Sequence, residues 1–275
     1  MTHHLTRKGR ARSLLLGPAG EHGPLPVVLM VFLVILLVMF PVGMVMMLSG
    51  AMTNDRLWMT SVFLGVQFLV TLTFALNVCS VRPVLLSTVL LIALSILVEF
   101  VGVTTGVPFG AYYYSYFLEP FVVGNVPLAI SFAWFSLVVN SYFLLLLLEG
   151  SARGGLRTVL LTVLLVVGLD LALEPFAAYV NRYWRWIDGA IPLENFASWG
   201  ALALVFAMVL SHFMVVKEPY RARRFALVPG LLLGLNLVQF VVINLVHGYW
   251  LLSLASLAVI SGVLFISFRR RSDAV

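Results

Sequence analysis

Eight apolar runs, each near the roughly 20 residues needed to cross a hydrocarbon core, constrain this chain more than any other feature. They fall at 26–48, 59–79, 84–103, 126–148, 157–178, 197–216, 226–246 and 250–268. In lipid every backbone N–H and C=O must be paired within the protein, so runs of this length cross as helices. The expected fold is all-α: a polytopic integral membrane bundle of about eight transmembrane helices. Composition agrees, because only 10% of residues are charged and 62% are hydrophobic, whereas soluble domains carry about 25% charge. Ser49-Gly50-Ala51 resembles a signal cleavage site. The run before it is too long for a signal-peptide core of about 7–15 residues, so it reads as a retained first span.

Positive charge orients the bundle. With eight spans, Arg7, Lys8, Arg10, Arg12, Arg82, Arg153, Arg157, Lys217, Arg221, Arg223, Arg224 and Arg269 to Arg271 share one side. Arg56, Arg182 and Arg185 take the other. This 14-to-3 split puts both termini in the cytoplasm by the positive-inside rule. The expected organisation is a basic cytoplasmic tail over 1–25, a single transmembrane domain over 26–268 and a short cytoplasmic tail over 269–275. Such a chain is a multi-pass protein of the cytoplasmic membrane. Its formal charge of +6 sits in topology clusters, so membrane lipid is an expected partner and nucleic acid is not.

Against this background, carboxylates inside the runs stand out. Asp170 and Glu174, spaced i,i+4, stack on one helix face about 6 Å apart, and each costs about 2.5–3.5 kcal/mol to place in the bilayer. Pro175 and Pro192 read as helix stops, and the loop after Pro175 carries Trp184, Trp186, Pro192, Asn195 and Trp199. Glu99 lies near the outer end of the third run. On the seventh, Asn236, Gln239, Asn244 and His247 form a stripe about 140° wide at helical periodicity. The loops 104–125 and 179–196 hold most of the remaining Tyr, Trp and Pro, so the polar chemistry gathers at the outer leaflet.

A carboxyl group in hydrocarbon favours its neutral acid form, and a second nearby reinforces this for one of the pair. Asp170, Glu174 and Glu99 are therefore candidate proton donors. In an apolar cavity such an acid suits an olefin, whose carbocation aromatic faces stabilise. Tyr112, Tyr113, Tyr114, Tyr116, Trp134, Trp184, Trp186 and Trp199 supply faces, and Asn and Tyr groups suit a held water. Other readings stand beside these. Tyr and Trp near span ends also form interfacial belts, the seventh-run stripe also serves interhelical hydrogen bonding, and Glu119 fits a solvated loop. Asn140 and His212 read as structural. The single Cys79 excludes a disulfide or a cysteine metal cluster, and there is no Gly-rich nucleotide loop, CxxC or HExxH. No metal site is expected.

Two segments carry a resemblance: GVPFGAYYYSYFLEPFVVGNVPLAISFAWF at 106–135, and Asp-x3-Glu-Pro followed by Trp-Arg-Trp and IPLENFASW over 170–199. They resemble the paired motifs of the carotenoid-biosynthesis membrane family, which includes the CruF-type carotenoid hydratases and the bisanhydrobacterioruberin hydratases. The likeness covers Glu99 to Trp199; the other spans match in hydropathy alone. Where that family commonly places Tyr-Gly before its second Val-Pro-like step, this chain has Asp188-Gly189-Ala190-Ile191, a difference that bears on substrate more than on reaction type. The resemblance implies hydration of the terminal double bond of an acyclic (psi) carotenoid end group without redox change or cofactor. On this reading Asp170, Glu174 and Glu99, already marked by their burial, are the candidate catalytic residues. Tyr112, Tyr114, Trp134, Trp184, Trp186, Asn195, Trp199 and Asn244 would bind substrate. The implied partners are a lipophilic carotenoid like lycopene or gamma-carotene and other carotenoid-pathway enzymes.

Three further readings are weighed. With water excluded, the same acid makes an end-group isomerase or cyclase, distinguished by product mass. An intramembrane prenyltransferase needs a second Asp-rich motif for magnesium, which the sequence lacks. A proton-coupled transporter also buries carboxylates, but it calls for inverted repeats and midplane helix breaks that are not seen here.

Overall fold

The computed structural model describes residues 24–217 and 226–273. Arg7, Lys8, Arg10, Arg12, Arg221, Arg223 and Arg224 lie outside the described residues, as do the side chains of Arg269 to Arg271. The helices are α1 (Pro24–Leu48), α2 (Met59–Val78), α3 (Val81–Thr105), α4 (Leu128–Glu149), α5 (Leu156–Glu174), α6 (Leu193–Phe213), α7 (Val228–Val246) and α8 (Trp250–Asp273). All 8 include a stretch long and apolar enough to cross a membrane. The protein is a multi-pass, all-α membrane protein.

Burial follows from that environment. α4 is the central helix, with Trp134, Phe135, Tyr142 and Phe143 buried against its neighbours. It packs on α2, α3, α5 and α7, while α5 packs most closely on α6 and α8. Outside, Val31 and Val38 of α1, Val89 of α3 and Leu251 and Phe265 of α8 are exposed. An apolar surface of this extent suits a hydrocarbon surrounding. Inside, polar side chains are paired: Asn140 Nδ2 donates across to Thr71 Oγ1 of α2 at 2.8 Å and, within α4, to Ser136 O at 2.7 Å.

Three local features depart from the sequence reading. Pro175 does not stop its helix. It has no N–H to donate and its ring crowds the preceding turn, so the chain widens into a π-helical turn over Pro175–Val180. The Asn181 N–H closes that turn on Phe176 O at 3.1 Å. Pro192 likewise begins a helix instead of ending one, which puts Asn195 in the first turn of α6 and not in a loop. The third departure is a two-stranded antiparallel ribbon, β1 (Tyr112–Tyr114) with β2 (Trp184–Trp186), in the loops after α3 and α5. Its register pairs Tyr112 with Trp186, Tyr113 with Arg185 and Tyr114 with Trp184. Gly106, left-handed at φ 78, caps α3 with its N–H on Gly102 O at 2.8 Å and turns the chain toward this ribbon.

Candidate functional site

Side chains alternate along a strand, so Tyr112, Trp184 and Trp186 are buried while Tyr113 and Arg185 face outward. The inward rings of β1 reach Glu99 on α3. Tyr112 and Tyr114 donate from their hydroxyls to Glu99 Oε2 at 2.6 and 2.7 Å. From α4, Trp134 Nε1 donates to Glu99 Oε1 at 3.0 Å. Burial, reinforced by the Glu99 carboxyl, pushes both phenols above the usual range, so they stay O–H donors. Gly102 makes room for this arrangement. It lies on the Glu99 face of α3, and a Cβ there would meet the Tyr112 hydroxyl at 2.8 Å and the Phe109 ring at 2.9 Å.

The inward rings of β2 reach Glu174 at the end of α5. Trp184 and Trp186 donate from Nε1 to Glu174 Oε2 at 3.3 and 3.1 Å. Asn195 Nδ2 of α6 donates to Oε1 at 2.9 Å. Each glutamate therefore has three N–H or O–H donors and, among the described residues, no cationic partner. One ribbon serves both.

Glu99, Glu174 and Asn195 line one cavity, whose space with its open mouth included is about 900 Å³. Tyr112, Tyr114, Trp134, Trp184, Trp186 and Trp199 form much of its wall. Trp134 and Trp199 stack at 3.8 Å between ring centroids, 24° from parallel, presenting π-faces beside the two acids. All six of these aromatic residues line the cavity, and five of them, all but Trp199, donate to a glutamate carboxyl.

Two residues grouped with the site from sequence stand apart from the cavity. Asp170, fully buried one turn deeper on α5, does not line it. Its Oδ2 is 3.5 Å from Asn195 Nδ2, the outer limit of a hydrogen bond, and its Oδ1 has no partner among the described residues. Asn244 is also fully buried and outside the cavity. Its Nδ2 donates to Ala172 O at 2.8 Å and to Ser253 Oγ at 3.2 Å, tying α7 to α5 and α8. The seventh-helix stripe thus divides: Asn236 and Gln239 line the cavity and Asn244 joins helices. Glu119 is an exposed loop residue, as its sequence context indicated.

Sequence reasoning passed over Thr60 and Gln67 of α2, and Tyr183, all in the cavity wall. Gln67 is buried with its Oε1 unpartnered; an amide within an apolar run was the available signal. Among the described residues no group of three or more His, Cys, Asp or Glu is placed to hold a metal ion.

A family model described as "Carotenoid biosynthesis protein" matches residues 58–264. The bisanhydrobacterioruberin hydratase of Haloarcula japonica is 37% identical over 106 residues, covering 37% of this chain. The match spans 36% of that relative, little more than a third of its length. No solved structure matches the chain.

Proposed function

The chain belongs to the carotenoid biosynthesis protein family, and from that membership we propose that it hydrates the terminal double bond of an acyclic carotenoid end group. The observation carrying this reading is the pair of buried glutamates, each held by three donors, in one aromatic cavity. The similar protein from Haloarcula japonica is also named a hydratase.

In the proposed reaction Glu174 is the acid, since it reaches the cavity. Its proton bonds to the less substituted alkene carbon, the π-pair becomes that C–H bond, and a tertiary cation remains on the neighbouring carbon. As the proton leaves, the N–H groups of Trp184, Trp186 and Asn195 meet the developing carboxylate charge. The stacked Trp134 and Trp199 face the cation. Glu99 takes a proton from water while the water oxygen closes the C–O bond, leaving a tertiary alcohol. Passage of that proton from Glu99 to Glu174 through cavity water restores the starting state. Asp170, joined to Glu174 through Asn195, backs the acid from below. Lycopene or a gamma-carotene-like molecule fits as substrate. The proposal includes a single membrane domain over 26–268 in the cytoplasmic membrane, with both termini inside and the cavity toward the outer leaflet.

Co-expression in a lycopene-producing host, followed by pigment mass analysis, tests this. The expected product is heavier by one water for each end group that reacts. A new pigment of unchanged mass would make the protein an isomerase or cyclase, in which the same cation loses a proton.

A further inference from the structure

A second recess, about 660 Å³ with the open space at its mouth included, lies between α1, α2 and α7. No charged residue lines it, and Met39, Met47, Met52 and Met59 form much of its surface. Thioether side chains are flexible and polarizable, and they pack well against π-systems. Its outer lip is open to the lipid-facing surface, where Val38 and Val42 are 60% and 50% exposed. Gly43 is among the lining residues, with no atom within 4 Å of the position a Cβ would take.

The groove adjoins the glutamate cavity across a shared wall. Thr60, Phe63 and Gln239 line both, and Gln239 Nε2 reaches the Met47 sulfur at 3.5 Å across the boundary. A conjugated chain is a stiff rod that cannot fold back on itself. If its terminal bond lies between Glu99 and Glu174, the rest must leave the cavity through an apolar opening. The whole α1 wall, Val38 to Met47, lies outside residues 58–264, the stretch the family model matches.

We propose that the methionine-lined groove between α1, α2 and α7 seats the polyene chain of the substrate and admits it sideways from the bilayer. The proposal rests on the hydratase reading for the identity of the chain. Val38 and Val42 form the entrance, the methionines contact the conjugated segment, and Phe63 with Gln239 marks the passage to the reacting end. An acyl chain of a lipid is the competing occupant.

The test fills the groove. Gly43→Phe and Val42→Trp proteins in lipid nanodiscs are given lycopene and, separately, myrcene, a short terpene with the same end group. Lycopene retained per protein is read by absorbance, and conversion of both probes by mass. Retention, and the ratio of lycopene to myrcene conversion, should each fall at least about tenfold, the worth of roughly two buried methylenes. Wild-type retention and ratio in a folded, filled variant overturn the proposal and assign the groove to lipid. Equal loss on both probes overturns it too, because the effect is then not on the chain. If neither filled variant folds, Met39→Ala, which widens the groove, must move the same ratio; an unmoved ratio overturns the proposal. Wild-type protein that retains lycopene without adding water defeats the hydratase reading alone, and the retention contrast still decides the groove.

Discussion

Tyr112 and Trp186 face one another across the β-ribbon with ring centroids 5.3 Å apart, and each hydrogen-bonds a different glutamate. Tyr112 donates to Glu99 at 2.6 Å and Trp186 to Glu174 at 3.1 Å. One cross-strand pair therefore sets two carboxyls on two different helices. A shift in either ring displaces the other, and with it the opposite carboxyl.

That coupling is measurable. Tyr112→Phe and Trp186→Phe each remove a buried hydrogen bond to a carboxyl group, worth about 1.5–3 kcal/mol where the carboxyl is charged and about 0.5–1.5 kcal/mol where it is the neutral acid. Each should lower thermal stability in detergent. Because the rings touch, the double variant should depart from the sum of the singles by about 0.5–1.5 kcal/mol. Losses that add within experimental error would mean the ribbon does not link the two sites.

The three carboxyls should separate by their access to the cavity. Glu174→Gln keeps the shape but removes the transferable proton, so conversion per folded protein should fall about 10²–10⁴-fold or more. Glu99→Gln should fall within that same range. Asp170→Asn, behind the cavity, should lose less than either. Active Glu174→Gln beside inactive Asp170→Asn would move the acid to Asp170 and require the cavity to open further than it does here. Protein amounts must be measured in parallel, because removing a buried carboxyl eases membrane insertion.

Gly102 offers a test of positioning. Gly102→Ala places a Cβ 2.8 Å from the Tyr112 hydroxyl and 2.9 Å from the Phe109 ring. Relief of that overlap should cost about 1–3 kcal/mol, move Tyr112 off Glu99 and lower turnover with it. Gly65→Ala on α2 meets nothing within 4 Å, so it should be neutral or stabilise by up to about 1 kcal/mol through helix propensity. Equal behaviour of the two variants in thermal unfolding and conversion would remove Gly102 from the argument.

The proposed orientation rests on charge. An alkaline phosphatase fusion after Asp188, exposed in the turn beyond β2, should be active on the outer side of the membrane. A cytoplasmic reporter at the same position should be silent. The reverse pattern would invert the bundle and place the cavity at the inner leaflet.

The glutamates were legible in the chain because a carboxyl in an apolar run has no cheap explanation. Their partners were legible only as residue types. Tyr112 to Tyr114 and Trp184 to Trp186 read equally well as an interfacial belt, since a strand of 3 residues carries almost no periodic signal. Its mate lies some seventy positions away. Pro175 and Pro192 were misread for a related reason. Local rules describe what proline disfavours, but packing against α7 and the ribbon holds the widened turn after Glu174.

Sequence alone determined the spans, because lipid leaves a run of about 20 apolar residues no structure but the helix. It also marked Asp170, Glu174 and Glu99, because their burial is costly wherever it occurs. The tertiary structure decided which acids meet the cavity. The i,i+4 spacing put Asp170 and Glu174 on one face, yet only Glu174 reaches the ribbon, where Trp184, Trp186 and Asn195 converge. It also sent Asn244 to a helix contact while its stripe neighbours Asn236 and Gln239 turned to the cavity. Helical periodicity gives a side chain its direction. What fills the space in that direction depends on helices packed from elsewhere in the chain, and no local pattern encodes their distance.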